Sequence, residues 1–96
     1  LSGIIRTFVG GVIGRAGLPD SANAVFRGAR TSSEVDPAAE QLAMEAAMRS
    51  VLGDRAGALQ ALQLHMIGAP GSFPGEHWWW RNIEADPEFL RLKAVR

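Results

Sequence analysis

Ninety-six residues, 47% of them hydrophobic and 21% charged, suffice for one small folded domain and exclude a disordered chain. Ten basic and ten acidic side chains cancel, so no global field draws the chain to nucleic acid or to an anionic membrane. The lack of cysteine removes disulfides, thiolate metal sites, iron–sulfur clusters and cysteine nucleophiles together, and a reducing cytoplasm is the simplest home.

The spacing predicts helices throughout and no strand, an all-α fold. The first helix, over about 2–16, holds Gly3, Gly10, Gly11 and Gly14, each costing up to about 1 kcal/mol against alanine. Such a helix needs packing, and glycine along one side lets a neighbour approach closely. The apolar stretch 4–13 within it is interrupted by Arg6 and Thr7, and it is shorter than the roughly 20 residues of a membrane span. No signal-peptide cleavage pattern follows it.

Pro19-Asp20-Ser21 opens a second helix over 22–30, with Val25 and Phe26 on its apolar stripe and Arg27 and Arg30 facing water. A polar loop over 31–37 ends in Asp36-Pro37, a cap followed by a proline suited to the first helical position. The third helix is expected over 38–52, with Leu42, Ala43, Ala46, Ala47 and Val51 on one broad face. Gly53 ends it, and Asp54 opens a fourth helix running to about Ile67 with Ala58, Leu59, Leu62 and Met66 on one side.

Residues 68–75, with three glycines and two prolines, form a loop. A short segment then carries Trp78-Trp79-Trp80. Successive helical side chains point about 100° apart, so one packed surface cannot take all three indoles. Asp86-Pro87 repeats the cap-plus-proline start before a last helix over 88–95, with Phe89, Leu90 and Leu92 inward and Arg91, Lys93 and Arg96 outward.

Shifting the chain by 34 positions pairs Phe8 with Leu42, Val12 with Ala46, Arg15 with Arg49, Asp20 with Asp54 and Ala24 with Ala58, which places Pro19-Asp20 on Gly53-Asp54. On these residues, and above all on the stretch 52–59 followed by Leu62 and Pro70, the chain resembles the tetratricopeptide repeat family. Glu45 and Arg49 stand at positions that are usually apolar or aromatic in that pattern, and His65 where a small residue is usual. Trp78–Trp80 followed by Asp86-Pro87-Glu88-Phe89 resembles the tail closing many bacterial tetratricopeptide regions.

The resemblance implies a single domain of stacked antiparallel helix hairpins forming an α-α superhelix. Its units would be about 2–35 and 37–70, joined through the loop 68–75 to a cap over 76–96. It also implies a non-catalytic, cytoplasmic protein-binding module at the C-terminal end of a larger bacterial regulator. Leu1 is not an initiator Met, in keeping with a piece of a longer protein. The expected partner is a protein or peptide, or another domain of the same polypeptide. Arg15, Glu45, Arg49 and one or more of Trp78, Trp79 and Trp80 are its candidate contacts. Two alternatives stand beside this reading: a structural cap that self-associates through the first helix, and a sensor enclosing a small apolar ligand near the indoles.

No catalytic constellation emerges. Gly10-Gly11-Val12-Ile13-Gly14-Arg15 lacks the Gly-Lys-Ser/Thr ending of a phosphate loop. His65 and His77 have no acidic partners at ligand spacing, so no metal, cofactor or enzymatic activity is expected.

Overall fold

The computed structural model describes residues 3–30, 39–70, 73–74 and 77–94, and every regular element among them is helical. The elements are α1 (Gly3–Arg15), α2 (Pro19–Arg30), α3 (Glu40–Val51), α4 (Arg55–Gly68), a single 3-10 turn (Trp78–Trp80) and α5 (Pro87–Ala94). The expected Asp36 cap and Pro37 lie outside the described residues. Instead α3 follows Ala39, which adopts a left-handed backbone (φ 51°) and accepts the first helical hydrogen bonds at its carbonyl.

Two hairpins organise the chain. α1 packs on α2 and α3 packs on α4, and the hairpins join where α1 lies against α3 and α2 touches α3. The 3-10 turn rests on α3, and α5 on α4. Both hairpins bend through the same device. Gly53 at φ 82° lets its N–H reach the Ser50 carbonyl at 3.0 Å while Asp54 N–H reaches Arg49 at 2.9 Å. Gly17 at φ 86° does the same, with Gly17 N–H on Gly14 and Leu18 N–H on Ile13. These paired bonds satisfy the last carbonyls of each helix, and the left-handed backbone they need favours glycine.

The turns correct the repeat register. Gly17 and Gly53 are 36 positions apart (53 − 17), as are the helix starts Pro19 and Arg55 and the helix ends Arg15 and Val51. The structural offset is therefore 36, two more than the pairing that set Pro19 on Gly53. At this offset Ala22 matches Ala58 and Phe26 matches Leu62, and all four are buried.

The main core is built by α3, α4 and the C-terminal cap. Ala46 and Ala47 meet Ala58, Ala61 and Leu62, and Trp80, Ile83, Phe89 and Leu92 close over them. The small alanines bring α3 and α4 together, and the aromatic groups fill the remaining space. Asp86 caps α5 by accepting from Glu88 N–H at 2.9 Å, as its sequence position implies. Phe89 and Leu92 face inward but Leu90 is half exposed, against expectation, because it lies about 100° round the helix from Phe89.

In α1 the glycines serve close approach. A Cβ built on Gly10 would stand 2.7 Å from the Phe26 ring, one on Gly11 2.6 Å from Met48 Sδ, and one on Gly14 2.5 Å from Leu52 Cδ1. The opposite side of the helix leaves Ile5, Phe8, Val9 and Val12 exposed.

Candidate functional site

A contiguous patch of exposed apolar side chains marks a candidate interaction surface, and one such surface lies between α1 and α3. Phe8 and Val12 form one wall, Met44, Met48 and Val51 the other, and Gly11 the floor. Trp78 and Trp79 close one end. The space is about 260 Å³ and its lining is almost wholly apolar. Phe8, Val12 and Trp78 stand 52%, 66% and 68% exposed around it. The glycine side of α1 creates this geometry by drawing α1 down onto α2 and α3, which leaves its bulkier side chains at the rim.

The three indoles divide as a 3-10 turn requires. Trp80 is buried at 2% exposure against Phe89, Trp79 is half buried, and Trp78 projects into solvent. Ser50 Oγ donates to the Trp79 carbonyl, and Asn82 Nδ2 donates to the Ser50 carbonyl at 2.8 Å. The turn is thus tied to the last part of α3. Trp79 stacks on His77 at 4.2 Å between centroids, while its indole N–H is buried with no acceptor.

A polar mouth opens beside Trp78 and Trp79, lined by Arg15, Arg81 and Asn82. Arg15 and Arg81 form no ion pair among the described residues, and no Asp or Glu lines either the mouth or the apolar trench. The site offers cationic and N–H donors at one end and hydrocarbon along the rest.

Of the six candidate contacts, Arg15, Trp78 and Trp79 meet here. Glu45, Arg49 and Trp80 do not line the groove. Glu45 is 1% exposed and Arg49 8%, and they hold the two hairpins together. Arg30 Nε donates to Glu45 Oε1 at 2.7 Å, and Arg49 Nε donates to Glu45 Oε2 at 2.9 Å. Arg49 Nη1 reaches Asn23 Oδ1 at 2.6 Å and Asp54 Oδ2 at 2.7 Å, and the guanidinium lies 4.6 Å from the Phe26 ring centroid. The Glu45 hydrogen bond, against a smaller opposing effect of burial, raises the Arg30 pKa above its ordinary value, so Arg30 stays charged. Arg30 and Arg49 therefore compensate Glu45 and Asp54 at the joint, where only Glu45 and Arg49 are buried.

Met44, Met48 and Phe8 escaped attention in the sequence as site residues. A signal existed: Phe8 and Val12 on one helix and Met44 and Met48 on another repeat at i, i+4, and 36 positions separate each pair.

The histidines have structural surroundings. His65 is buried and its Nδ1–H donates to the Ala39 carbonyl at 2.8 Å, and His77 Nε2–H donates to Pro74 at 3.2 Å. No group of three or more His, Asp or Glu converges among the described residues, and no described helix is long and apolar enough to cross a membrane. No known protein family, curated protein or solved structure matches the chain.

Proposed function

We propose that the chain is a non-catalytic interaction module that receives a protein segment in the α1/α3 groove. One observation carries this reading: Phe8, Val12 and Trp78 stay more than half exposed around a continuous apolar trench, although an adjacent core could bury such groups. Covering apolar surface stabilises by about 25 cal/mol per Å², so this face favours a complementary surface. On the resemblance described above, the hairpins are units of a tetratricopeptide-like superhelix within a cytoplasmic bacterial regulator.

Capture from a bacterial lysate tests the proposal. The immobilised chain should retain a partner that Val12→Asp loses and Gln60→Asp, on the exposed side of α4, keeps. Equal capture by all three chains, or none by any, would contradict it. Self-association through α1 is a second reading, favoured by the exposed stripe of Ile5 and Val9 next to the groove. Sedimentation would show a concentration-dependent dimer if it holds, and a monomer at every concentration would dismiss it.

A further inference from the structure

The chemistry of the groove specifies its occupant further, on the assumption that the docking reading above is right. We infer that the groove takes one amphipathic helix of a partner protein, with an acidic side chain at the end that meets Arg15 and Arg81.

The walls carry the first part. Phe8 to Arg15 on α1 and Met44 to Val51 on α3 each span seven residue steps, so the trench is about 10 Å long at 1.5 Å per residue. That length matches a stripe at i, i+4 and i+7 on a docked helix. Both walls are themselves helices whose backbone groups bond internally, and the side chains between them are hydrocarbon and thioether. An extended peptide pressed against such walls would surrender its water without finding backbone partners, at roughly 1–3 kcal/mol for each stranded group. A helix brings its backbone already satisfied. The flexible Met44 and Met48 can mould to its side chains.

Charge carries the second part. Arg15 and Arg81 stand at the trench mouth without an ion pair among the described residues. Two cations line the mouth and no carboxylate lines the space, so a basic segment is repelled and an acidic one is drawn in. A carboxylate at that end would neutralise one cation and accept its N–H groups.

The probe is a synthetic helical peptide of about 15 residues, near the shortest length that persists as a helix in water. Leucines at i, i+4 and i+7 form its stripe, and two glutamates stand at one end. Titrated into the whole chain, it should bind and change the emission of the rim tryptophan. A central proline should abolish binding, and Glu→Lys at both acidic positions should weaken it about tenfold through the lost charge pairs. The double variant Arg15→Glu, Arg81→Glu should reverse that preference while leaving the circular dichroism unchanged. If the proline peptide binds as tightly as its parent, the helix inference falls and the docking reading survives. If the lysine peptide binds equally, the acidic end is wrong. If no peptide binds to a folded chain, both the inference and the groove reading fail.

Discussion

The two halves of the molecule solve opposite problems. The C-terminal half, α3 and α4 with the tryptophan turn and α5, gathers Trp80, Phe89, Leu62 and Ile83 into one continuous core. Among the described residues, the N-terminal hairpin buries only Ala22, Phe26 and Ala29 of its hydrophobic side chains and leaves Ile5, Phe8, Val9, Val12 and Leu18 exposed. Glycine explains the asymmetry. Small residues on the α2/α3 side of α1 give intimate backbone contact but little buried hydrocarbon, so the bulky residues of that helix remain for another surface. Buried hydrocarbon is concentrated in one half, and exposed hydrocarbon in the first helix of the other.

The largest effect should come from emptying the stable half. Trp80→Ala removes a side chain that touches Phe89 and lies at 2% exposure, and it should cost about 3–5 kcal/mol in urea unfolding. A loss under about 1 kcal/mol would mean that the cap does not contribute to the core.

Next comes the joint between the halves. Glu45→Ala leaves Arg49 buried with a single carboxylate partner at Asp54 and strands Arg30, and should cost about 3 kcal/mol. Replacing both Glu45 and Arg49 by apolar residues should recover much of that loss, because the damage comes from an uncompensated charge.

Within the N-terminal hairpin the glycines should respond unequally. Gly10→Ala pushes on the packed Phe26 ring and should destabilise by about 1–2 kcal/mol, even after the gain of about 1 kcal/mol in helix propensity. Gly11→Ala meets Sδ and Cγ of the flexible, half-buried Met48 side chain at 2.6 and 3.1 Å, and that side chain must shift. It should cost less than Gly10→Ala, within about 1 kcal/mol, while the groove floor rises. Thermal melts of the two variants compare them directly.

The smallest effect concerns α5. A hydrogen bond from Arg91, aided by its charge, holds the Glu88 carboxyl below its ordinary value of 4.5. A depressed folded pKa contributes stability above the unfolded value and loses it as the pH falls through the folded one. This contribution should therefore be lost only below about pH 4.5, and Arg91→Ala should abolish that pH dependence of α5 helicity, a change read by circular dichroism.

Much of this was legible in the chain. Asp86-Pro87 located the start of α5, Gly53 the second turn, and the glycines of α1 its close packing. The indole run announced that its members must part, since no helical surface accepts three neighbours. The first turn was obscured because Pro19 resembles a turn residue, whereas the left-handed backbone belongs to Gly17. Glu45 and Arg49 read as candidate partner contacts, yet they stood where the repeat pattern wants apolar groups. That departure was itself the sign of burial, and the i, i+4 spacing was the sign of their pairing. Their partners Arg30 and Asn23 come from the other hairpin, and only the tertiary register brings them near. The groove was hidden for the same reason, being made by two helices and a turn from distant parts of the chain.

Thermal unfolding of Val12→Asp asks most directly whether the α1 wall is open surface. A side chain already two-thirds in water loses little on becoming an aspartate, so an open groove predicts a melting temperature unchanged within about 2 °C. A fall of about 10 °C or more would show that Val12 is part of a core, leaving no groove for a partner to enter.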